Sequence, residues 1–118
     1  MVDVERVLLE RNVPIPLRDG TLTYANVWRP AGGDPVPAIM VRTPYTKEVE
    51  EINVFSEPRV AAVRGYAIVS QDVRGRGESE GEFDPYFQEG ADGYDSIEHV
   101  AGLDWCSGDV VMAGNSYV

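Results

Sequence analysis

The chain has 118 residues, with 10 Lys and Arg against 20 Asp and Glu, a formal net charge of −10. Its length caps it at one compact domain, and 43% hydrophobic residues, with two Trp, six Tyr and three Phe, suit a core-forming chain rather than an acidic disordered tail. Phosphate affinity needs clustered Lys and Arg, and the one basic step here is Arg74/Arg76, so no nucleic-acid partner is expected.

In chain order, the first twelve residues mix Asp3, Glu5, Arg6 and Glu10 into their apolar positions, which is not the layout of a secretion signal. Val4–Val13 and Thr21–Trp28 read as two antiparallel strands joined by the turn Arg18-Asp19-Gly20. In the second strand, Thr21, Thr23, Ala25 and Val27 share one side and Leu22, Tyr24, Asn26 and Trp28 the other. Arg29–Val36 is a loop by its prolines and glycines. Pro37–Pro44 encloses a short continuous apolar run, the pattern of a strand buried on both faces. A charged stretch, Lys47–Glu51, leads to Ser56-Glu57-Pro58, where Ser56 can cap a helix that ends at Gly65. Tyr66–Gln71 is the next buried strand, and strand, helix, strand in this order predicts a parallel pair with a crossover. Asp72–Pro85 reads as a polar surface loop. Over Glu89–Leu103, Ala91, Tyr94, Ile97, His99 or Val100, and Ala101 recur at helical steps, leaving Asp92, Asp95 and Glu98 for a solvated face. Val110–Ala113 is a third apolar run. The longest apolar runs, such as Ala38–Val41, fall far short of the roughly 20 residues that cross a bilayer, so no membrane partner is expected. The single cysteine, Cys106, excludes an internal disulfide framework and a cysteine-rich zinc site, and a reducing cytoplasmic location is expected.

Gly114-Asn115-Ser116, directly after the third apolar run, opens the Gly-x-Ser-x-Gly pattern of a nucleophile elbow. Its glycines have a steric cause: the serine sits on a strained strand-to-helix turn where larger side chains two positions away would collide. A loop serine or a helix N-cap accounts for the same residues. The pattern's second glycine would be residue 119, so the chain is expected to be the N-terminal part of a larger catalytic domain, 1–118, and inactive alone.

Three further motifs are Arg42-Thr-Pro-Tyr45-Thr-Lys47, Asp72-Val-Arg74-Gly75-Arg-Gly77-Glu-Ser79-Glu-Gly81 and Asp104-Trp105-Cys106. Together with Gly114-Asn-Ser116-Tyr117, and in this order, they resemble the X-Pro dipeptidyl-peptidase-like, or cocaine-esterase-like, α/β-hydrolases over about Arg18–Val118. The resemblance implies an α/β fold, the N-terminal portion of an α/β-hydrolase: antiparallel opening strands, then parallel strands with crossover helices. It implies an acyl-enzyme serine hydrolase acting on a small-molecule ester or a peptide or amide, with Ser116 as nucleophile. Tyr45 would give its hydroxyl, and Tyr117 its backbone N–H, to the oxyanion. The triad acid and histidine would lie beyond Val118, and the third parallel strand would carry an open apolar edge that invites self-association into a homo-oligomer.

Other readings compete. Gly75, Gly77 and Gly81 suggest a dinucleotide-binding loop, but no helix follows at once to offer its N-terminus to a pyrophosphate; Asp72 and Arg74 are better read as bracing that loop. His99 sits mid-helix before the elbow, the wrong chain order for an α/β-hydrolase base. No metal site is expected of Asp92, Asp95 and Glu98, which lack a loop that converges oxygens, and no cofactor is implied. Cys106 reads as a packing thiol. A hydrolase-like scaffold serving as a non-catalytic binding module remains open.

Overall fold

The computed structural model describes residues 7–45, 47, 58–83 and 89–113. β1 (Val7–Pro16) and β2 (Leu22–Pro30) form an antiparallel hairpin. Its turn closes through Leu17 N–H to Thr21 O at 2.9 Å and through Thr21 N–H to Asp19 Oδ1 at 3.0 Å. β1 runs on through Pro14 and Pro16, beyond the predicted end at Val13. Among the described residues β1 is an edge strand, which tolerates these prolines because its outer backbone needs no ladder partner. A bulge between Glu10 and Val13 puts Asn12 at φ 53°, with its N–H on Asn26 Oδ1 at 3.1 Å. Of the predicted first strand, the first three residues, Val4–Arg6, lie outside the described residues.

β3 (Val36–Thr43) and β4 (Ala67–Asp72) pair in parallel, as predicted, with Ala38 opposite Ala67 and Thr43 opposite Asp72. Between them runs α1 (Pro58–Val63); the proposed cap Ser56 lies outside the described residues. Gly65 at φ +90° closes the helix, its N–H reaching Ala62 O at 3.1 Å while Tyr66 N–H reaches Ala61 O at 3.0 Å. That pair of bonds is the Schellman stop, which a glycine makes without steric cost. α2 (Glu89–Ala101) carries the chain over to β5 (Cys106–Met112), parallel to β3.

The sheet order is β1-β2-β4-β3-β5, with β2 antiparallel to β4. Every residue of β4 is buried, as its central place requires. One face collects Ile15, Ala25, Val27, Ala38, Met40, Ala67, Val69 and Cys106 under Val100 of α2, so the alternation read in β2 holds and Cys106 is the packing thiol expected.

Two expectations need correcting. β5 starts at Cys106 rather than Val110 and lies at the sheet edge among the described residues, with Val111 60% and Met112 45% exposed. Among the described residues β5 has the single neighbour β3, so its apolar run is not enclosed on both sides as those of β3 and β4 are. In α2 the predicted apolar side holds only in part: Val100 is buried and Ile97 packs on the core, but Tyr94 is 61% exposed, and Asp92 and Ser96 are buried with Val100. The reason is polar satisfaction. Gln71 on β4 donates through Nε2 to Ser96 Oγ at 2.9 Å and Thr23 Oγ1 at 2.7 Å and accepts Arg42 Nε–H at 2.8 Å, so its buried amide is satisfied beneath the helix. No helix among the described residues is long and apolar enough to cross a membrane.

Candidate active site

The parallel strands β3, β4 and β5 all end at one edge of the sheet, the edge outside which open α/β sheets place ligands. Two of the motifs meet there. Pro44 and Tyr45 follow Thr43 directly, and the buried Thr43 side chain accepts the Tyr45 N–H at 2.9 Å, a local turn that fixes the Tyr45 backbone. Tyr45 is 48% exposed.

Lys47 is fully buried, at 0% exposure, and so is Asp72. The Asp72 carboxylate accepts Lys47 N–H at 2.7 Å, Lys47 Nζ at 3.0 Å and Glu78 N–H at 3.0 Å. Ser70 Oγ donates to the Lys47 carbonyl at 3.1 Å, and Ser79 Oγ to the Asp72 carbonyl at 2.7 Å. One carboxylate at the end of β4 thus joins the loop after β3 to the loop after β4. Gly77, at φ +52°, is required here, because a Cβ would fall on the Asp72 carboxylate. The loop's inward N–H therefore meets an internal carboxylate. Gly75 packs on the Phe83 backbone, and the next described helix begins at Glu89. A phosphate-cradling loop would instead hold its amides free at a helix N-terminus, so the dinucleotide reading finds no support in this geometry.

Arg74 clamps the same loop from outside. Its Nε and Nη2 donate to the two oxygens of Asp92 at 2.9 and 3.0 Å, and Nη1 donates to Asp19 at 2.7 Å and Thr21 Oγ1 at 3.1 Å. The Asp92 hydrogen bonds, then those of Asp19, raise the Arg74 pKa, so its charge is permanent. The Arg74 hydrogen bond in turn holds the Asp19 carboxyl below the usual carboxylate range. Arg18 does the same to Asp95 through paired bonds of 2.9 Å. Asp92 and Asp95 are thus not a solvated face, as predicted, but the anchors of α2 to the hairpin and the loop. Asp72 and Arg74 do brace the loop, though through partners far along the chain, and Asp72–Val73 is buried rather than surface.

Of the residues singled out for chemistry, Ser116 and Tyr117 lie outside the described residues. What is described is the approach to them: Met40 pairs with Met112 across β3 and β5, and Ala113 N–H continues the ladder to Met40 O at 3.0 Å. Thr43 and Ala113 therefore stand at the same edge, at the ends of neighbouring strands. His99 is half-buried on α2. Arg42, from the first motif, is buried under α2, bonded to Gln71 and, at 3.5 Å, to Glu89. Lys47 was read as part of a charged stretch; its place in the motif after Arg42-Thr-Pro-Tyr45 was the signal that it is more than a surface charge.

The family described as X-Pro dipeptidyl-peptidase (S15 family) matches residues 19–118. A cocaine esterase from Rhodococcus sp. (strain MB1 Bresler) is 41% identical over 109 residues, 91% of this chain but 19% of its own length. A hydrolase of the CocE/NonD family from Staphylococcus aureus superposes with a TM-score of 0.84 at 24% identity, covering 94% of this chain and 24% of that one. An aminopeptidase from a marine sediment archaeon, a Thaumarchaeota archaeon, gives 0.77 at 26% identity, covering 98% and 22%. The chain thus spans about a fifth of the length of these relatives.

Proposed function

The chain belongs to the X-Pro dipeptidyl-peptidase family, and on that premise we propose that it carries the nucleophile and one oxyanion-hole donor of a serine hydrolase that cleaves an ester or amide by acyl transfer. Ser116 attacks the acyl carbonyl and forms an acyl-enzyme, and the Tyr45 hydroxyl and the Tyr117 N–H receive the oxyanion. The observation that carries the reading is the placement of Tyr45: exposed, on a backbone pinned by Thr43, at the sheet edge where β5, the strand that precedes Ser116 in the chain, also ends. A carbonyl oxygen polarised there meets a donor whose position costs no reorganisation at the moment of attack.

The base and its orienting acid come from elsewhere in the whole protein, because His99 is on α2 and precedes the nucleophile in the chain. The 118 residues by themselves are then inactive, since a serine without its base stays protonated. The esterase named among the relatives favours an ester substrate, and the aminopeptidase keeps amides open.

The test uses the whole protein. A fluorophosphonate labels it covalently, and Ser116→Ala abolishes the label. Tyr45→Phe lowers kcat on a p-nitrophenyl ester by about 10²–10³-fold, the usual cost of one oxyanion donor. Labelling that survives Ser116→Ala would sink the assignment, and no labelling of the wild type would favour a non-catalytic binding module.

A further inference from the structure

We propose that Lys47 is a positioning residue for Tyr45: its buried pair with Asp72 holds the loop after β3 in register with the loop after β4, and so sets where the Tyr45 hydroxyl stands. The inference rests on the reading of Tyr45 as an oxyanion donor.

The pair is not explained by stability. Taking an ammonium and a carboxylate fully out of water costs several kcal/mol per ion, and an apolar pair of similar volume often serves stability as well or better. What an ion pair adds is a fixed geometry. Here that geometry is specific. Asp72 Oδ1 takes the Lys47 backbone N–H at 2.7 Å and Oδ2 takes Nζ at 3.0 Å, so main chain and side chain are gripped by one carboxylate. Ser70 Oγ holds the Lys47 carbonyl at 3.1 Å. On the other side of Tyr45, Thr43 Oγ1 holds the Tyr45 N–H at 2.9 Å, and Thr43 O accepts Val73 N–H at 3.1 Å. Tyr45 is therefore the exposed residue between two anchors, both made to β4 or to the first residue after it. Asp72 also accepts Glu78 N–H at 3.0 Å, which fixes the second loop to the same point. Loosening Lys47 frees one end of this span and leaves the hydroxyl free to drift, and a misplacement of about 1 Å can cost on the order of 10²-fold in rate.

The experiment is a double-mutant cycle in the whole protein, with active sites counted by fluorophosphonate titration so that kcat refers to folded enzyme. Lys47→Met is expected to lower kcat by about 10–10²-fold with KM on a p-nitrophenyl ester changed by about twofold or less, because the lost interaction belongs to the transition state. In the Tyr45→Phe background the same substitution is expected to cost nothing further, since its effect runs through the hydroxyl already removed. Should Lys47→Met fail to fold, Ser70→Ala takes its place: it removes one anchor of Lys47 and leaves the charges paired, and its few-fold loss of kcat is likewise expected to vanish on Tyr45→Phe. Losses that multiply with Tyr45→Phe, or a kcat per titrated site equal to wild type, overturn the proposal. A Tyr45→Phe enzyme as active as wild type refutes the oxyanion reading itself, and with it the positioning role; the two failures are thus told apart by the single variants.

Discussion

β4 and β5 flank β3 on its two sides, run parallel to it and end at the same edge, yet they are finished in opposite ways. β4 is buried along its whole length, and the loop that leaves it is fastened by Asp72 to Lys47 and by Arg74 to Asp92 and Asp19. β5 has one neighbour among the described residues, and Val111 and Met112 stand exposed. The half of the proposed site built on β3 and β4 is thus assembled from side chains inside this chain. The half that begins after β5 rests on a strand with one flank open.

Three measurements sharpen or break this contrast. The largest effect belongs to the β4 side: Lys47→Met leaves the Asp72 carboxylate buried without its cation, and about 3–5 kcal/mol of unfolding free energy is expected to be lost in the whole protein. A denaturant midpoint unchanged by that substitution would mean that the loop is not fastened as described.

The next effect is a pH dependence. Asp19 and Asp95 have carboxyls held below their ordinary values by hydrogen bonds from Arg74 and Arg18. A lowered folded-state value stabilises above the unfolded Asp pKa of about 3.9, and the benefit is lost as pH falls through the lowered values. Each pair has one member open to solvent, Asp19 in the first and Arg18 in the second, so both are screened and the loss is modest. The double variant Asp19→Asn/Asp95→Asn is expected to be less stable than wild type at neutral pH and equal to it in strong acid. A constant difference from pH 7 down to pH 2 would deny the ion pairs their role.

The smallest effect on stability lies on the β5 side. Val111→Lys is expected to shift it by no more than about 0.5 kcal/mol, because the residue is exposed. The same change should weaken concentration-dependent self-association of the 118-residue chain in light scattering. A variant that still associates as wild type places the contact elsewhere.

The elements were legible where burial and apolarity coincide. β3 and β4 are short apolar runs bounded by proline or glycine, and their parallel pairing followed from the helix between them. α2 was found, and its Ile97 and Val100 face the core as read, but Tyr94 does not, because the inward side also presents Asp92 and Ser96, polar residues whose partners Arg74 and Gln71 are distant in sequence. The first half of β5, Cys106-Ser-Gly-Asp109, has the composition of a turn; Cys106 pairs with Val36 of β3, and the register shifts before pairing resumes at Val110. The insertion of β4 between β2 and β3 had no local signal, since strand order is a property of the whole sheet. At the site, the motif spacing located Tyr45, but nothing in the composition showed that Lys47 would be buried, because lysine is almost never fully buried unless paired and its partner stands 25 positions away.

The bulge at Asn12 gives the sheet a direction of growth. Beyond β1 a further strand would meet a twisted backbone and two prolines, Pro14 and Pro16, with no N–H to offer. Beyond β5 it would meet neither obstacle among the described residues. A strand that extends this sheet, from the same chain or another, is therefore better received on the β5 side of the described residues than on the β1 side.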